Sequence, residues 1–284
     1  MPELPEAEAA RLVLEQGALG RKIGSVDDSD AYVCRPHAPG EIAAALVGRR
    51  LDSAHRRGKA LWAHTGGPVL GLHLGMAGRL VVDEPPAPNH WDRFALEFED
   101  GGRLALRDKR RLGRAVLEPN LSRLGPDAAK VGRGEFRARV GHSAAPIKAR
   151  LMDQATVAGV GNLLADETLW RAGVDPRRPA EDLSEAELDH LRRALRAATR
   201  DAIRKGGVHT GDLMSERRVG GRCPACGAAL ARAKVGGRTT WWCPREQAGG
   251  PVGRSDTAPG SDGEEKGGRA GHRRGRKEAS RPAW

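Results

Sequence analysis

The sequence predicts an α+β chain of two domains with a small cysteine-bearing appendage, and three observations lead there. Short apolar runs punctuated by Gly and Pro fill the first part of the chain, and helical periodicity takes over from "PIKARLMDQATVAGVGNLLADETLWRAGV". Then "CPACGAALARAKVGGRTTWWCPRE" brings cysteines together at metal-ligand spacing. A chain of 284 residues is long enough for two cores. Aromatic residues make up only 4% of it, so those cores must be built from Leu, Val and Ala.

The opening "PELPEAEAARLVLEQGAL" has helical spacing at Ala9, Leu12 and Val13 and stops near Gly17 or Gly20. Strand-like runs follow in "RRLDSAHRRGKALWAHT", "GPVLGLHLGMAGRLVV", "DRFALEFED" and "GRLALRD", with tight turns between them. This sheet-rich domain is placed at residues 1–120. Residues 121–216 read as helical, with two helices flanking the turn "AGVGN" and the second ending at Gly173. Ser184 and Glu187 form a capping box that opens a long helix. Its Leu188, Leu191, Leu195, Ala198 and Ala202 share one face, a core stripe, before Gly206 and Gly207 end it. Residues 217–247 are the cysteine-bearing hairpin. Residues 248–284 are Gly-rich, charged and too poor in apolar side chains to fold, which predicts a disordered basic tail whose "HRRGRK" binds DNA weakly and without sequence preference.

The formal net charge of +11 and a pI near 10.1 describe a surface that attracts polyanions, nucleic acid before anionic membrane. No apolar run approaches the roughly 18 residues that cross a bilayer. The N-terminus is acidic and Pro-containing, the opposite of a secretory leader, so a cytoplasmic protein is expected. Of the four cysteines, Cys223, Cys226 and Cys243 are crowded together, which suits a metal in a reducing compartment better than disulfides. Cys34 stands alone and reads as a small buried or loop residue.

Removal of Met1, which a small second residue permits, would leave Pro2 with a free secondary amine followed at once by Glu3. Such an amine attacking a sugar C1′ gives an iminium ion, an electron sink for base loss and elimination, and an adjacent acid can protonate the leaving group. The same residues would also serve as a Pro-capped helix start with acids in its first turn. At the other end, Glu246 stands where a fourth thiolate would complete the second knuckle. No His lies between Cys223 and Glu246, and a carboxylate oxygen is an acceptable zinc ligand.

Taken in order, "MPELPEAE", "HRRGKALW", "HLGMAGRL", "DKRRLGR", the "IKARLMDQATVAGVGN" segment and the cysteine region resemble the formamidopyrimidine-DNA glycosylase/endonuclease VIII family. The resemblance covers nearly everything before the tail. It implies an N-terminal β-sandwich with flanking helices, a helix-two-turns-helix domain and a C-terminal zinc-ribbon-like hairpin. It further implies a monomeric bifunctional glycosylase and abasic-site lyase acting on damaged double-stranded DNA, with no membrane partner. Pro2 would be the nucleophile and Glu3 the acid/base, with Lys59 and Arg238 assisting strand cleavage from flanking phosphates. Met76, Arg110 and Leu112 would fill the hole left by the rotated nucleotide, while His90, Lys148 and Asn162 contact DNA. One structural zinc would be held by Cys223, Cys226, Cys243 and Glu246, keeping Arg238 in place.

Two departures bear on the lesion. Leu112 replaces the aromatic usual in the formamidopyrimidine branch, and "GGVHTGDLMSERRVGGR" is shorter than the loop that caps oxidised guanine there. Oxidised pyrimidines or ring-opened purines are therefore the expected substrates. Two other classes fit part of the pattern. A non-catalytic binder of abasic or distorted DNA would not need the Pro2–Glu3 pair, and an RNA-binding zinc ribbon would not explain it.

Overall fold

The computed structural model describes residues 2–248, and the expected tail lies outside them. Helix α1 (Leu4–Gly17) opens on Glu3 as its N-cap, whose backbone N–H donates to Glu6 Oε2 at 2.9 Å. Its buried face is Leu4, Ala7, Ala10 and Leu14, so the expected stripe is corrected: Ala9 is exposed, and Leu12 and Val13 are only half-buried. The helix carries small or apolar residues on several sides, and the deciding contact is made by Leu4, which packs into a core built far along the chain.

Eight strands follow: β1 (Ile23–Asp27), β2 (Ser53–Arg57), β3 (Ala60–His64), β4 (Leu70–His73), β5 (Arg79–Asp83), β6 (Asp92–Phe98), β7 (Arg103–Arg107) and β8 (Arg114–Leu117). They form two four-stranded antiparallel sheets, ordered β1-β6-β7-β5 and β2-β3-β4-β8. Leu61, Leu70 and Leu72 from one sheet share a core with Phe94, Leu96, Leu104 and Leu106 from the other, as a sandwich requires. A short helix α2 (Glu41–Leu46) is held by Asp28, whose carboxylate accepts from the N–H groups of Gly40, Ile42 and Ala43. Cys34 is fully buried there, and burial beside Asp28 pushes its thiol up to about 12, so it is inert.

The helical unit comprises α3 (Arg133–Val140), α4 (Ile147–Met152), α5 (Asn162–Arg171) and α6 (Glu185–Lys205). The capping box at Ser184 and Glu187 is present, and the stripe from Leu188 to Ala202 is buried as expected. The hairpin of β9 (Ala231–Val235) and β10 (Arg238–Trp242) turns at Gly236 and Gly237, both at positive φ, the backbone a two-residue turn requires. Arg56 bridges Glu8 and Asp127, and Arg57 donates to the carbonyls of Leu124 and Gly125, so the sandwich and the helical unit are locked along β2.

Candidate active site

The Glu3 carboxylate enters the N-terminus of α5. It accepts hydrogen bonds from the backbone N–H groups of Gly161 (2.9 Å), Leu163 (2.8 Å) and Leu164 (3.0 Å), and the residue is 1% exposed. The anion at that helix terminus is therefore the chain's own Glu3, which occupies the N–H groups that the "AGVGN" turn presents. The glycines are there for close approach. A Cβ on Gly161 would stand 2.3 Å from the Glu3 carboxyl carbon, and one on Gly159 would stand 2.6 Å from Leu4 Cδ1. Burial raises the Glu3 carboxyl above its ordinary value, against the opposing pull of Lys59 and the α5 N–H groups. Pro2, half-buried, precedes it directly.

Lys59 sits in the β2–β3 turn behind Gly58, whose positive φ and contact with Ala158 and Gly159 admit no side chain. Burial holds the Lys59 ammonium below its ordinary value, with Glu3 opposing and Arg238 adding to the shift. Lys59 therefore lies within the fields of both the carboxylate and the hairpin arginine. The sequence reading missed His73, which burial and Lys59 push down to about 4. Its Nδ1 accepts from the Gly75 N–H at 3.0 Å, so the neutral ring carries its proton on Nε2. The "HLGM" run contained it, but a lone His in a strand gives no such signal.

Met76 is 40% exposed at the tip of the next turn. The loop carrying Arg110 and Leu112 packs against that turn, and a Cβ on Gly75 would meet the Leu112 carbonyl carbon at 2.4 Å. Asp108, also missed, fixes this second loop: fully buried, it accepts from the N–H groups of Arg110, Leu112 and Gly113 at 2.7–2.9 Å. Arg111 adopts a left-handed φ of 55° and turns back to Asp30. Arg110 is exposed and Leu112 half-buried. His90 is exposed beside Trp91, their ring centroids 4.1 Å apart, with Arg93 and Lys109 over the indole.

Lys148 does not reach the surface, which corrects its expected contact with DNA. It is 0% exposed and its ammonium lies 2.7 Å from Asp166 Oδ1 and 2.7 Å from Thr240 Oγ1. Arg217 completes the pairing of Asp166, whose Oδ2 also accepts from the Trp241 N–H at 3.3 Å. Asn162 Nδ2 donates to the Thr239 carbonyl at 3.1 Å, so its amide also serves the hairpin. These groups grip the backbone immediately after Arg238, which is exposed at the tip.

Cys223, Cys226 and Cys243 place their sulfurs within 4.8 Å of one another. Zinc bonds of about 2.3 Å in a tetrahedron set sulfur separations of about 3.8 Å, so the donor set fits zinc. Burial opposes ionisation of Cys223, but the Trp170 indole N–H at 3.3 Å and backbone N–H groups outweigh it and lower the thiol. Despite the Ala228 N–H, Cys226 is pushed up to about 11 by burial and by Cys243, Glu246 and Cys223. The Glu246 carboxylate faces Cys226 but does not join the group of mutually close donors. Gln247, unforeseen, is buried and clamps the knuckle, accepting from the Cys243 N–H and donating to the Val174 carbonyl, each at 2.8 Å.

Residues 1–115 match the formamidopyrimidine-DNA glycosylase N-terminal domain, and residues 124–212 match the H2TH domain of the same enzymes. The chain is 37% identical over 271 residues to a formamidopyrimidine-DNA glycosylase of Halorhodospira halophila, covering 87% of this chain and all of that protein. Two solved structures of Lactococcus lactis Fpg resemble it closely. One holds DNA containing an abasic site (TM-score 0.77, 29% identity, 86% of this chain and 99% of that one). The other holds DNA containing an oxidised pyrimidine (TM-score 0.78, 30% identity, 87% and 99%).

Proposed function

Because the chain belongs to the formamidopyrimidine-DNA glycosylase family, we propose that it excises an oxidised base through a Schiff base at Pro2 and then cleaves the strand by successive β- and δ-elimination. Its class is that of a DNA glycosylase of base excision repair, with damaged duplex DNA as partner. Among the described residues no helix is long and apolar enough to cross a membrane. The observation that carries the finer reading is the buried Glu3 carboxylate, fixed by three α5 N–H groups beside Pro2 and within the field of Lys59.

The Pro2 amine, freed of Met1, attacks C1′ of the rotated nucleotide while Glu3 supplies a proton to the departing base or opened ring oxygen. Lys59 and Arg238 bind the flanking phosphates and assist the elimination steps. The amine must be neutral and Glu3 protonated, so activity rises with pH as the amine deprotonates and falls as Glu3 ionises. Burial, by raising Glu3, moves that second limb toward neutrality. In a pH–rate profile, Glu3→Gln removes the alkaline limb, so that a rate about 10²- to 10⁴-fold lower still rises as the amine deprotonates and then levels off. An unchanged limb would place the acid elsewhere.

Oxidised pyrimidines and ring-opened purines are the substrates we infer. The segment after α6 opens as a pair of short 3₁₀ turns, Val208–Thr210 and Met214–Glu216, tied down by Glu6 and Glu167, and ends in a short exposed turn at Val219 and Gly220 before Cys223. Leu112 offers no stacking face; solved relatives hold an oxidised pyrimidine, a ring-opened purine and 8-oxoguanine alike, so the preference rests on Leu112 and this short segment. A nicking assay across single-lesion duplexes tests this. Faster cleavage at oxidised pyrimidines than at 8-oxoguanine is expected, and the reverse order would overturn the preference. Tight binding of an abasic duplex without nicking over hours would leave a non-catalytic binder.

Zinc would be held by Cys223, Cys226 and Cys243, with Glu246 or water at the fourth position, stiffening the hairpin that carries Arg238. Elemental analysis should find one equivalent of zinc, kept in Glu246→Ala and lost in Cys243→Ser. Loss in Glu246→Ala would make the carboxylate a ligand.

A further inference from the structure

The single tyrosine of the chain, Tyr32, is 48% exposed and ringed by guanidinium groups. Arg35 lies 3.8 Å from its ring centroid, Arg114 at 5.2 Å and Arg111 at 5.9 Å. These arginines differ in their charge balance. Arg111 is neutralised by Asp30 at 2.8 Å, whereas Arg35 donates to the Tyr32 carbonyl and Arg114 to the Gly113 carbonyl. Neither has a carboxylate partner among the described residues. Arg21, Arg56, Arg103 and Arg107 in the same domain are paired with acids, whereas Arg35 and Arg114 stack on a ring and donate to carbonyls. A guanidinium lying on a ring keeps its edge donors free, the geometry that takes a phosphate.

The patch lies at one end of a polar row that crosses the sheet. Lys59 adjoins Ala60 of β3, Ala60 faces His73 of β4, and His73 faces Arg114 of β8. The Ala115 N–H donates to the Val33 carbonyl at 3.2 Å, which seats Tyr32 beyond Arg114. Three lateral spacings of about 4.8 Å separate Lys59 from Tyr32, about 14 Å in all. That span is comparable to a duplex groove of about 6–12 Å once backbone thickness is added. Arg111 moreover ties the patch to the loop of Arg110 and Leu112, on the side of the base left unpaired.

We propose that Tyr32, Arg35 and Arg114 dock the phosphodiester backbone of the strand opposite the lesion, an inference that rests on the damaged-duplex reading above. Tyr32 orients the Arg35 guanidinium and the two free cations take the phosphates.

The test is equilibrium binding of the full-length protein to a duplex holding a tetrahydrofuran abasic analogue, measured against salt. Arg35→Ala/Arg114→Ala should bind roughly tenfold more weakly, with the log–log salt slope smaller by about 1.8 for two lost contacts. Arg35→Lys/Arg114→Lys should keep the slope, and Tyr32→Ala should weaken binding without changing it. Methylphosphonates in the complementary strand beside the orphaned base should weaken the wild type and leave the alanine variant unaffected. An unchanged slope in that variant overturns the proposal, as does a variant-dependent effect of methylphosphonates in the lesion strand instead. Failure of the underlying reading shows separately: the wild type would not prefer the abasic duplex to an undamaged one, and the proposal would fall with it.

Discussion

A chain carrying an uncleaved extension ahead of Pro2 gives no borohydride-trapped complex with an abasic duplex, and Pro2→Gly loses trapping with it. Nicking falls by about 10³-fold or more in both, the scale on which removal of a covalent nucleophile acts. The expectation follows from the surroundings of Pro2. Glu3 is immobilised by three N–H donors, so the acid is fixed relative to the amine and cannot be replaced by a mobile solvent group. Lys59, whose ammonium burial holds below its ordinary value, is the amine that competes with Pro2 for the role. Trapping that persists in the extended chain would transfer the nucleophile to a lysine, with Lys59→Met as the deciding variant.

Lys148→Met should destabilise the protein more than any surface change. It strips the buried Asp166 of one of its two cationic partners and leaves Thr240 Oγ1 without its lysine donor. Breaking a buried pair from one side costs about 3–5 kcal/mol, and in a chain of this size that lowers the melting temperature by roughly 10 °C. Hydrogen exchange should locate the loss at the amides of Thr240 and Trp241, because these residues lie where the network meets β10. A melting temperature within about 2 °C of wild type would mean that Lys148 is not required to balance Asp166. Asp166→Asn should loosen the same amides and slow nicking through Arg238, while trapping at Pro2 survives.

The succession of sheet, helices and hairpin was legible because its signals are local. Gly and Pro mark the turns, the Ser184–Glu187 box opens α6, and a 3.6-residue stripe buries it. Paired glycines likewise place Arg238 at a hairpin tip. What escaped depends on partners distant in the chain. Glu3 meets α5 across 158 residues, and Lys148 meets Thr240 across 92. Nothing in "IKARLMDQ" says that its lysine points inward toward a carboxylate on the next helix. The glycines of "AGVGN" permit close approach, but no local pattern says that the approaching group is Glu3, from the other end of the chain. Asp108 stabilises a loop by accepting backbone N–H groups, a role that any short acid near a turn can fill and that spacing alone does not single out.

The seating of Glu3 has a consequence for recombination between relatives. All three donors to its carboxylate are main-chain groups, so the socket in α5 is indifferent to side-chain identity but intolerant of a Cβ at Gly161. A sandwich from one homologue joined to a helical unit from another should therefore assemble its acid correctly despite wide divergence, provided that glycine is retained. The Glu3 socket is thus a fit between two backbones rather than between side chains.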